Sequence, residues 1–477
     1  MAHTKTSQRW LLLGATLSVV SALATSEPTP IPANLDAWPS VITRAATPFD
    51  SRHGYLLKKN IMDDIKSRIH GAVHSLDKDI TGWFDKIPLG TGVLSKLGIG
   101  DELAAKPIEV LNIPPYANWT DRGWNVRFRG NVHKFPDISQ EKIDDLANDF
   151  LIGTEVSKLD AEGQAQARNL TRSIYVVGQP RQNVSMTLEP VSMQGDNTNT
   201  ASGGSQSVKL LGQTTFLGDY EEFVTISQNG LLPGNETHGV QRLNVYANGT
   251  LSGNATAFLV PTEGITFISD IDDILRVTKI YIPKEGLLNS FARPFRQWEN
   301  MPEIYANWSR TLPNNTHFHY LTTTIEQATR NYMDFIYKTY PGGSFDTRPL
   351  DFSDLSNTLH IRKHLLTRVF QTFPRRKFVL VGDTSNSDVM KAYPQLAHDY
   401  PDQVQCIFLR NTSATDSQMW FPYDTKHFKG LDSKRYMFFR EPNDLAGLDI
   451  VNGQCLNETI PQNVTFNMQH DSAGGKR

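Results

Sequence analysis

Two aspartates one residue apart close an apolar run, Gly264-Ile265-Thr266-Phe267-Ile268-Ser269-Asp270-Ile271-Asp272-Asp273. A short apolar run suits a strand buried on both faces. Acids at its carboxyl end sit where open α/β sheets hold their ligands. In a loop leaving the strand, Asp270 and Asp272 can face one cleft and divide the labour, one ionised as nucleophile and one protonated as acid. A strand that ends in an Asp-rich turn or a helix N-cap reads the same way. A second apolar run, Val379-Leu380-Val381-Gly382-Asp383, also ends in an acid, and Asp388 follows five residues later. Gly-Asp after a strand is ordinarily a turn. The two strand ends together supply hard oxygen ligands from Asp270, Asp272, Asp383 and Asp388. Such a set suits Mg²⁺, which binds through a few carboxylates, waters and substrate phosphate.

The elements that must position these acids alternate. Strands are expected at 265–269, 318–321, 377–381 and 404–409, with helices at 326–337, 359–373 and 389–400. That alternation implies a parallel sheet, an α/β domain over residues 263–447. Polar residues follow three of the strands, among them Thr322-Thr323-Thr324. Residues 111–262 read differently. Trp124, Val126 and Phe128 alternate with polar residues, as do Val184, Met186 and Leu188, and further short runs lie at 174–177, 208–211, 223–226, 243–246 and 257–260. Short strands without intervening helices predict a β-rich, sandwich-like domain or a small barrel. The Gly- and Asn-containing stretch 193–207 reads as a polar loop.

Residues 1–24 read as a signal peptide: Lys5 and Arg9 flank an apolar stretch that ends in Ala22-Leu23-Ala24, a small-x-small cleavage site. Residues 25–110 are a lead-in with an amphipathic helical segment, where Ile61, Ile65, Ile69, Val73, Leu76, Ile80 and Phe84 recur at helical spacing. Such a helix packs on its own protein or makes peripheral contact with a membrane. Residues 448–477 form a C-terminal tail. Glycosylation sequons stand at Asn118, Asn169, Asn183, Asn235, Asn248, Asn254, Asn307, Asn314, Asn411, Asn457 and Asn463. They place the chain in a eukaryotic secretory route, secreted or in a cell wall or vacuole, with those asparagines on exposed loops. Cys406 and Cys455, the only two cysteines, can pair in that compartment; two free thiols are the other reading. The net charge is −3 and no long basic run occurs, so nucleic acid is not an expected partner.

Asp-x-Asp after one strand, Thr322 after the next, a lysine, and Gly382-Asp383 with Asp388 after a later strand resemble the four motifs of haloacid-dehalogenase-superfamily phosphatases. The wording around them, Ile268-Ser269-Asp270-Ile271-Asp272-Asp273, Phe318-His319-Tyr320-Leu321-Thr322 and Arg376-Lys377-Phe378-Val379-Leu380-Val381-Gly382-Asp383, resembles the fungal actin-patch-associated phosphatidate phosphatases over roughly residues 111–445. The resemblance implies a Rossmann-type parallel sheet, Mg²⁺ as cofactor, and phosphatidate hydrolysed to diacylglycerol through an aspartyl-phosphate. It implies Asp270 as nucleophile, Asp272 as acid and base, Thr322 on a phosphoryl oxygen and Lys363, or Arg362 beside it, as the neutralising cation. Asp270, the carbonyl of Asp272 and Asp383 would hold the metal, and Asp388 would support it through water. The family carries Thr two residues after the second Asp; here Ile274 stands there. Two alternatives follow: a phosphatase of another phosphomonoester, and a catalytically inactive secreted binding protein. Phe291, Phe295 and Trp298 lie in a segment too short for a large cap, where core packing is the expected role and substrate contact the alternative.

Overall fold

A computed structural model describes residues 92–98, 101–191, 204–227, 230–235, 237–348, 361–416 and 426–462. The signal peptide, the 55–84 helix, most of the 193–207 loop and Asn463 lie outside the described residues. No helix among the described residues is long and apolar enough to cross a membrane.

The first sheet has nine strands: β1 (Glu109–Asn112), β2 (Tyr116–Thr120), β3 (Gly123–Lys134), β4 (Val177–Gly178), β5 (Asn183–Pro190), β6 (Gln206–Gln213), β7 (Asp219–Thr225), β8 (Gln241–Ala247) and β9 (Ala255–Val260). They run in the order β1-β3-β2-β9-β8-β5-β6, with β4 and β7 along β3. This is one hydrogen-bonded sheet; of the sandwich or small barrel expected from the sequence, the sandwich's two separate sheets are not seen among the described residues. Its far ends approach each other, since the Glu222 carboxylate on β7 accepts from the Leu211 and Gly212 amides on β6. Inward residues at alternate positions, Val126, Phe128, Met186, Leu188, Leu243 and Val245 among them, fill its core. Two helices interrupt the strands, which the sequence reading did not expect: α2 (Gln140–Asn148) and α3 (Ala161–Ile174), after a short α1 (Gly92–Leu97). The signals were local. Ser139 and Asp160 accept from backbone amides as N-caps, and Ile143, Leu146 and Ala147, then Ala167, Leu170 and Ile174, repeat at helical spacing. The run at 174–177 is thus the end of α3 followed by β4.

The second sheet is wholly parallel, in the order β12-β11-β10-β13-β14-β15. Its strands are β10 (Ile265–Asp270), β11 (His317–Ile325), β12 (Ser344–Arg348), β13 (Lys377–Asp383), β14 (Val404–Arg410) and β15 (Tyr436–Phe439). Every residue of the central β10 is buried, as expected for a strand covered on both faces. The covering helices are α4 (Pro283–Phe291), α5 (Met301–Thr311), α6 (Glu326–Thr339), α7 (Ile361–Thr372) and α8 (Ser387–Asp399). Helices α6, α7 and α8 match the expected ones; α4, α5, β12 and β15 were not foreseen. Trp298, Met301, Tyr305 and Trp308 pack into the sheet core, and Phe291 packs in a separate cluster with Phe150 and Tyr175.

Register decides what the sheet can display. Ser269 lies opposite Val381, and Asp270 lies opposite Leu321. Asp270, Thr322 and Gly382-Asp383 therefore come off three neighbouring strands at the same carboxyl edge. Arg376 fixes the opposite end of β10. Its fully buried guanidinium donates to the carbonyls of Pro261, Glu263, Ile265 and Asn315 and to the Thr266 hydroxyl. Cys406 on β14 is bonded to Cys455, tying the segment after β15 to the sheet. Of the described sequon residues, Asn169, Asn235, Asn307 and Asn314 are exposed, and Asn118, Asn183, Asn248, Asn254 and Asn457 are half-buried. Asn118 and Asn183 lie on strands and Asn169 and Asn307 on helices rather than on loops, and Asn411 departs furthest from the expected exposed loop. It is 1% exposed, and its side chain caps the turn Thr412–Thr415 by accepting from the Ala414 amide.

Candidate active site

Asp270 ends β10 with its carboxylate almost wholly buried. One oxygen accepts from the Ile271 amide at 3.0 Å. The other meets the Arg362 guanidinium at 3.0 Å and the Asn386 amide nitrogen at 3.5 Å. Burial pushes the Asp270 carboxyl up to about 6; Arg362 opposes this and the Asp272 charge adds to it.

Asp272 is held from three sides. Its Oδ1 accepts from Arg276 Nε at 3.0 Å, Arg276 Nη2 at 2.8 Å and the Thr278 hydroxyl at 2.8 Å. Its Oδ2 accepts from the Thr322 hydroxyl at 3.3 Å. Arg276 is itself buried, with its guanidinium carbon 3.6 Å from the Tyr332 ring centroid and 4.9 Å from that of Phe295. Phe295 thus lies behind the site, against the arginine that holds Asp272. Trp298 does the same for Arg410, at 4.1 Å.

The chain turns sharply at Asp273, whose φ of 61° lies in the left-handed region that Asp tolerates better than most residues. Its buried carboxylate accepts from the amides of Thr278, Lys279 and Ile280, and Arg410 Nη1 donates to its carbonyl at 2.6 Å. The loop is therefore fixed by backbone donors. Ile274 points into the apolar core with Ile271, Leu275 and Trp298 and is fully buried.

Asp383 ends β13, also buried, with the Ser385 hydroxyl 2.9 and 2.6 Å from its two oxygens. Burial raises its proton affinity well above the ordinary carboxylate range, and the Asp273 and Asp270 charges raise it further. Asp388 lies in the first turn of α8, where Arg362 feels its charge. Asn386 caps α8 and faces Asp270, and neither it nor Ser385 was singled out from sequence. Both follow Asp383 at turn positions, which was the available signal.

Lys363 requires a correction. It faces outward on α7 and pairs with Asp399 at 2.9 Å, with its side chain 40% exposed. One helical residue is about 100° of rotation, enough to turn the neighbouring Arg362 inward, where it is 1% exposed and reaches Asp270. Arg362 occupies the place for which the sequence offered either residue.

Among the described residues no group of three or more His, Cys, Asp or Glu side chains could hold a metal ion unaided. The donor set still suits a hard cation that keeps most of its waters. Burial raises the proton affinity of both carboxylates, Asp270 and Asp383, and the Asp270 charge raises that of Asp383 further, so a positive charge between them would relieve both.

The model of the family described as phosphatidate phosphatase APP1, catalytic domain, matches residues 265–411, from the first residue of β10 to the one after β14. The phosphatidate phosphatase APP1 of Saccharomyces cerevisiae is 26% identical over 229 residues, a match that spans 44% of this chain and 38% of the yeast protein. Among solved structures, a GH2 β-galacturonidase from Eisenbergiella tayi aligns over 67% of this chain and 51% of its own at 7% identity and a TM-score of 0.22. A β-glucuronidase 2 mutant from Bacteroides uniformis aligns over 64% and 36% at 9% identity and a TM-score of 0.17. Overlaps this poor carry no argument about fold or activity. The sequence matches fall on the segment that holds Asp270, Asp272, Thr322, Arg362 and Asp383, and from β10 to the end of β14 this chain is similar to the phosphatidate phosphatase APP1 catalytic domain.

Proposed function

We propose that this chain is a haloacid-dehalogenase-like, Mg²⁺-dependent phosphatase of the secretory pathway that hydrolyses phosphatidate to diacylglycerol and phosphate. The observation that carries this reading is the meeting of Asp270, Asp272, Thr322 and Asp383 from adjacent strand ends, with Arg362 on Asp270.

An Asp270 oxygen attacks phosphorus as the bond to the diacylglycerol oxygen breaks, giving an aspartyl-phosphate. Asp272 gives a proton to the departing oxygen, then takes one from the water that hydrolyses the aspartyl-phosphate. Arg362 keeps Nε and Nη1 buried without a hydrogen-bond acceptor among the described residues, so it can serve both Asp270 and a phosphoryl oxygen. Thr322 is placed to donate to the phosphoryl group in exchange for its bond to Asp272 Oδ2. Asp270, Asp383 and the Asp272 carbonyl would hold Mg²⁺, which when bound neutralises charge on the phosphoryl oxygens. Asp388 would act at the rim.

The test is phosphate release from phosphatidate vesicles and from p-nitrophenyl phosphate, with Mg²⁺ or with chelator. Wild type should turn over with Mg²⁺ alone, and Asp270→Asn should lose at least about a thousandfold. Release from p-nitrophenyl phosphate but not from phosphatidate would favour a soluble phosphomonoester as substrate. No release from either would leave the inactive binding protein. The secretory assignment rests on the signal-like N-terminus, the sequons and the Cys406–Cys455 bond. A fall in apparent mass on deglycosylation of the secreted protein checks it.

A further inference from the structure

We infer that Arg276 and Thr278 are the positioning residues of the acid–base aspartate Asp272, and that Thr278 supplies from beyond the turn the hydroxyl that Ile274 cannot. This rests on the phosphoryl-transfer reading above.

The chain reverses between Asp272 and Arg276. The Asp273 amide donates to the Arg276 carbonyl at 2.9 Å, and Asp272 and Arg276 form a bridge pair. That reversal returns both the Arg276 and Thr278 side chains to the Asp272 carboxylate. They bring three donors to one oxygen, Oδ1. An oxygen accepting three hydrogen bonds has no lone pair left for a proton, so the transferable proton belongs on Oδ2. There the one hydrogen-bond partner among the described residues is the Thr322 hydroxyl at 3.3 Å, on the side of the β11 strand end. Arg276 cannot be the acid, because a guanidinium keeps its proton. It cannot swing away either: Tyr332 and Phe295 hold its plane, and Ser290 lies 3.3 Å from Nη2.

In the first step the bond from phosphorus to the leaving oxygen breaks and its electron pair goes to that oxygen. The proton moves from Asp272 Oδ2 to the same oxygen, and the Asp270–phosphorus bond forms. Arg276 and Thr278 fix which oxygen carries the proton and where it points. A leaving group that is stable as an anion needs no proton, so their contribution should grow as the leaving group becomes more basic.

The experiment is a series of aryl phosphates of graded leaving-group basicity, with phosphatidate vesicles at the basic end, on wild type, Thr278→Val, Arg276→Lys and Arg276→Met. Melting temperatures confirm that each variant folds. Thr278→Val is nearly isosteric and covers the case in which Arg276→Met does not fold. Thr278→Val should lower kcat about tenfold on the most basic leaving group and less than twofold on p-nitrophenyl phosphate, with KM unchanged. Arg276→Met should show the same tilt more strongly, and Arg276→Lys should recover part of it. Losses equal across the series, or appearing only in KM, would overturn the inference while Asp270-dependent turnover by wild type kept the phosphoryl-transfer reading. If wild type released no phosphate from any substrate, that reading would fall and take this inference with it.

Discussion

Two buried groups of charged residues stand at different places in this molecule, and they are balanced in opposite ways. Asp346 on β12 is fully buried where the two sheets meet. Arg127 Nη1 reaches both its oxygens at 2.8 and 2.9 Å, and Arg129 Nη1 reaches one at 2.7 Å. Its carboxyl is held well below the usual range despite burial, by Arg127, His319 and Arg129. At the carboxyl edge of the second sheet Asp270, Asp273 and Asp383 are just as buried, yet burial raises all three. The difference lies in the ratio of charges. Asp346 and the partly exposed Glu221 share three arginines, Arg127, Arg129 and Arg368, whereas Arg276, Arg362 and Arg410 serve four aspartates at the other site. A balanced buried acid holds two sheets together; an unbalanced set is suited to receive a cation and a phosphoryl group. Composition alone does not separate the two. Ser344, His319 and Asp346 even fall in line, with 2.8 Å from Ser344 Oγ to His319 Nδ1 and 3.5 Å from His319 Nε2 to Asp346. The order is that of a hydrolase triad, but all three residues are 0% exposed, so no substrate reaches the serine.

The strongest way to break the comparison is Asp346→Ala. It leaves Arg127 and Arg129 buried with only the partly exposed Glu221 carboxylate as anionic partner and should destabilise by about 3 kcal/mol, read by denaturant unfolding. A loss under about 1 kcal/mol would mean that Glu221 alone satisfies the two arginines and that Asp346 does not hold the sheets together.

Glu326 tests the same idea with an acid that sits near the interface but lacks balance. It opens α6, is buried, and neither oxygen has a hydrogen-bond partner among the described residues. Burial, with the Asp219 charge, pushes its carboxyl up to about 8, against Arg129 and Arg330. The folded form therefore keeps a proton that the unfolded chain has lost. The stability it contributes is whole below about 4.5 and falls as pH rises toward about 8. Glu326→Gln should leave the melting temperature unchanged at pH 4 and raise it at pH 8, with a difference worth about 2 kcal/mol. A variant that lost stability at both pH values would show Glu326 to be a paired carboxylate like Asp346.

How much of this was legible in the sequence follows from range. The second sheet was readable because each central strand is a continuous apolar run and each helix carries its own period. Asp270, Asp272, Thr322 and Asp383 were readable because they are tied to strand ends. Strand β12, Ser-Phe-Asp-Thr-Arg, was not, since its inward-facing Asp346 is made apolar-compatible by arginines 217 and 219 residues away. Helices α2 and α3 were passed over although their caps and periods are local, because the surrounding strands set the expectation. Arg276 and Thr278 carry no motif; their role appears only when the turn at Asp273 brings them back to Asp272.

The cation-receiving half of the comparison is sharpened by melting with Mg²⁺. At tenfold over its dissociation constant, a ligand that binds only the folded state stabilises by about 1.4 kcal/mol. Wild type should gain that much. Asp383→Asn should gain nothing, though without Mg²⁺ it should be at least as stable as wild type, because it removes a charge that its surroundings oppose. An equal gain in both proteins would place the cation elsewhere.

The smallest effect separates neighbours on one helix. Lys363→Ala removes an exposed pair with Asp399, and such pairs contribute roughly 0–1 kcal/mol. Stability should shift by less than about 0.5 kcal/mol and phosphate release by less than about twofold. Arg362→Lys keeps the charge but shortens the reach and removes the planar fork, and a single ammonium cannot bond Asp270 while offering two further fixed donors to a phosphoryl oxygen. It should lower kcat on the order of a hundredfold with the fold intact. If Lys363→Ala cost the activity and Arg362→Lys did not, the outward lysine would be the functional cation. Helix α7 would then have to rotate by about 100° on binding substrate, breaking the Arg362–Asp270 contact that now anchors it.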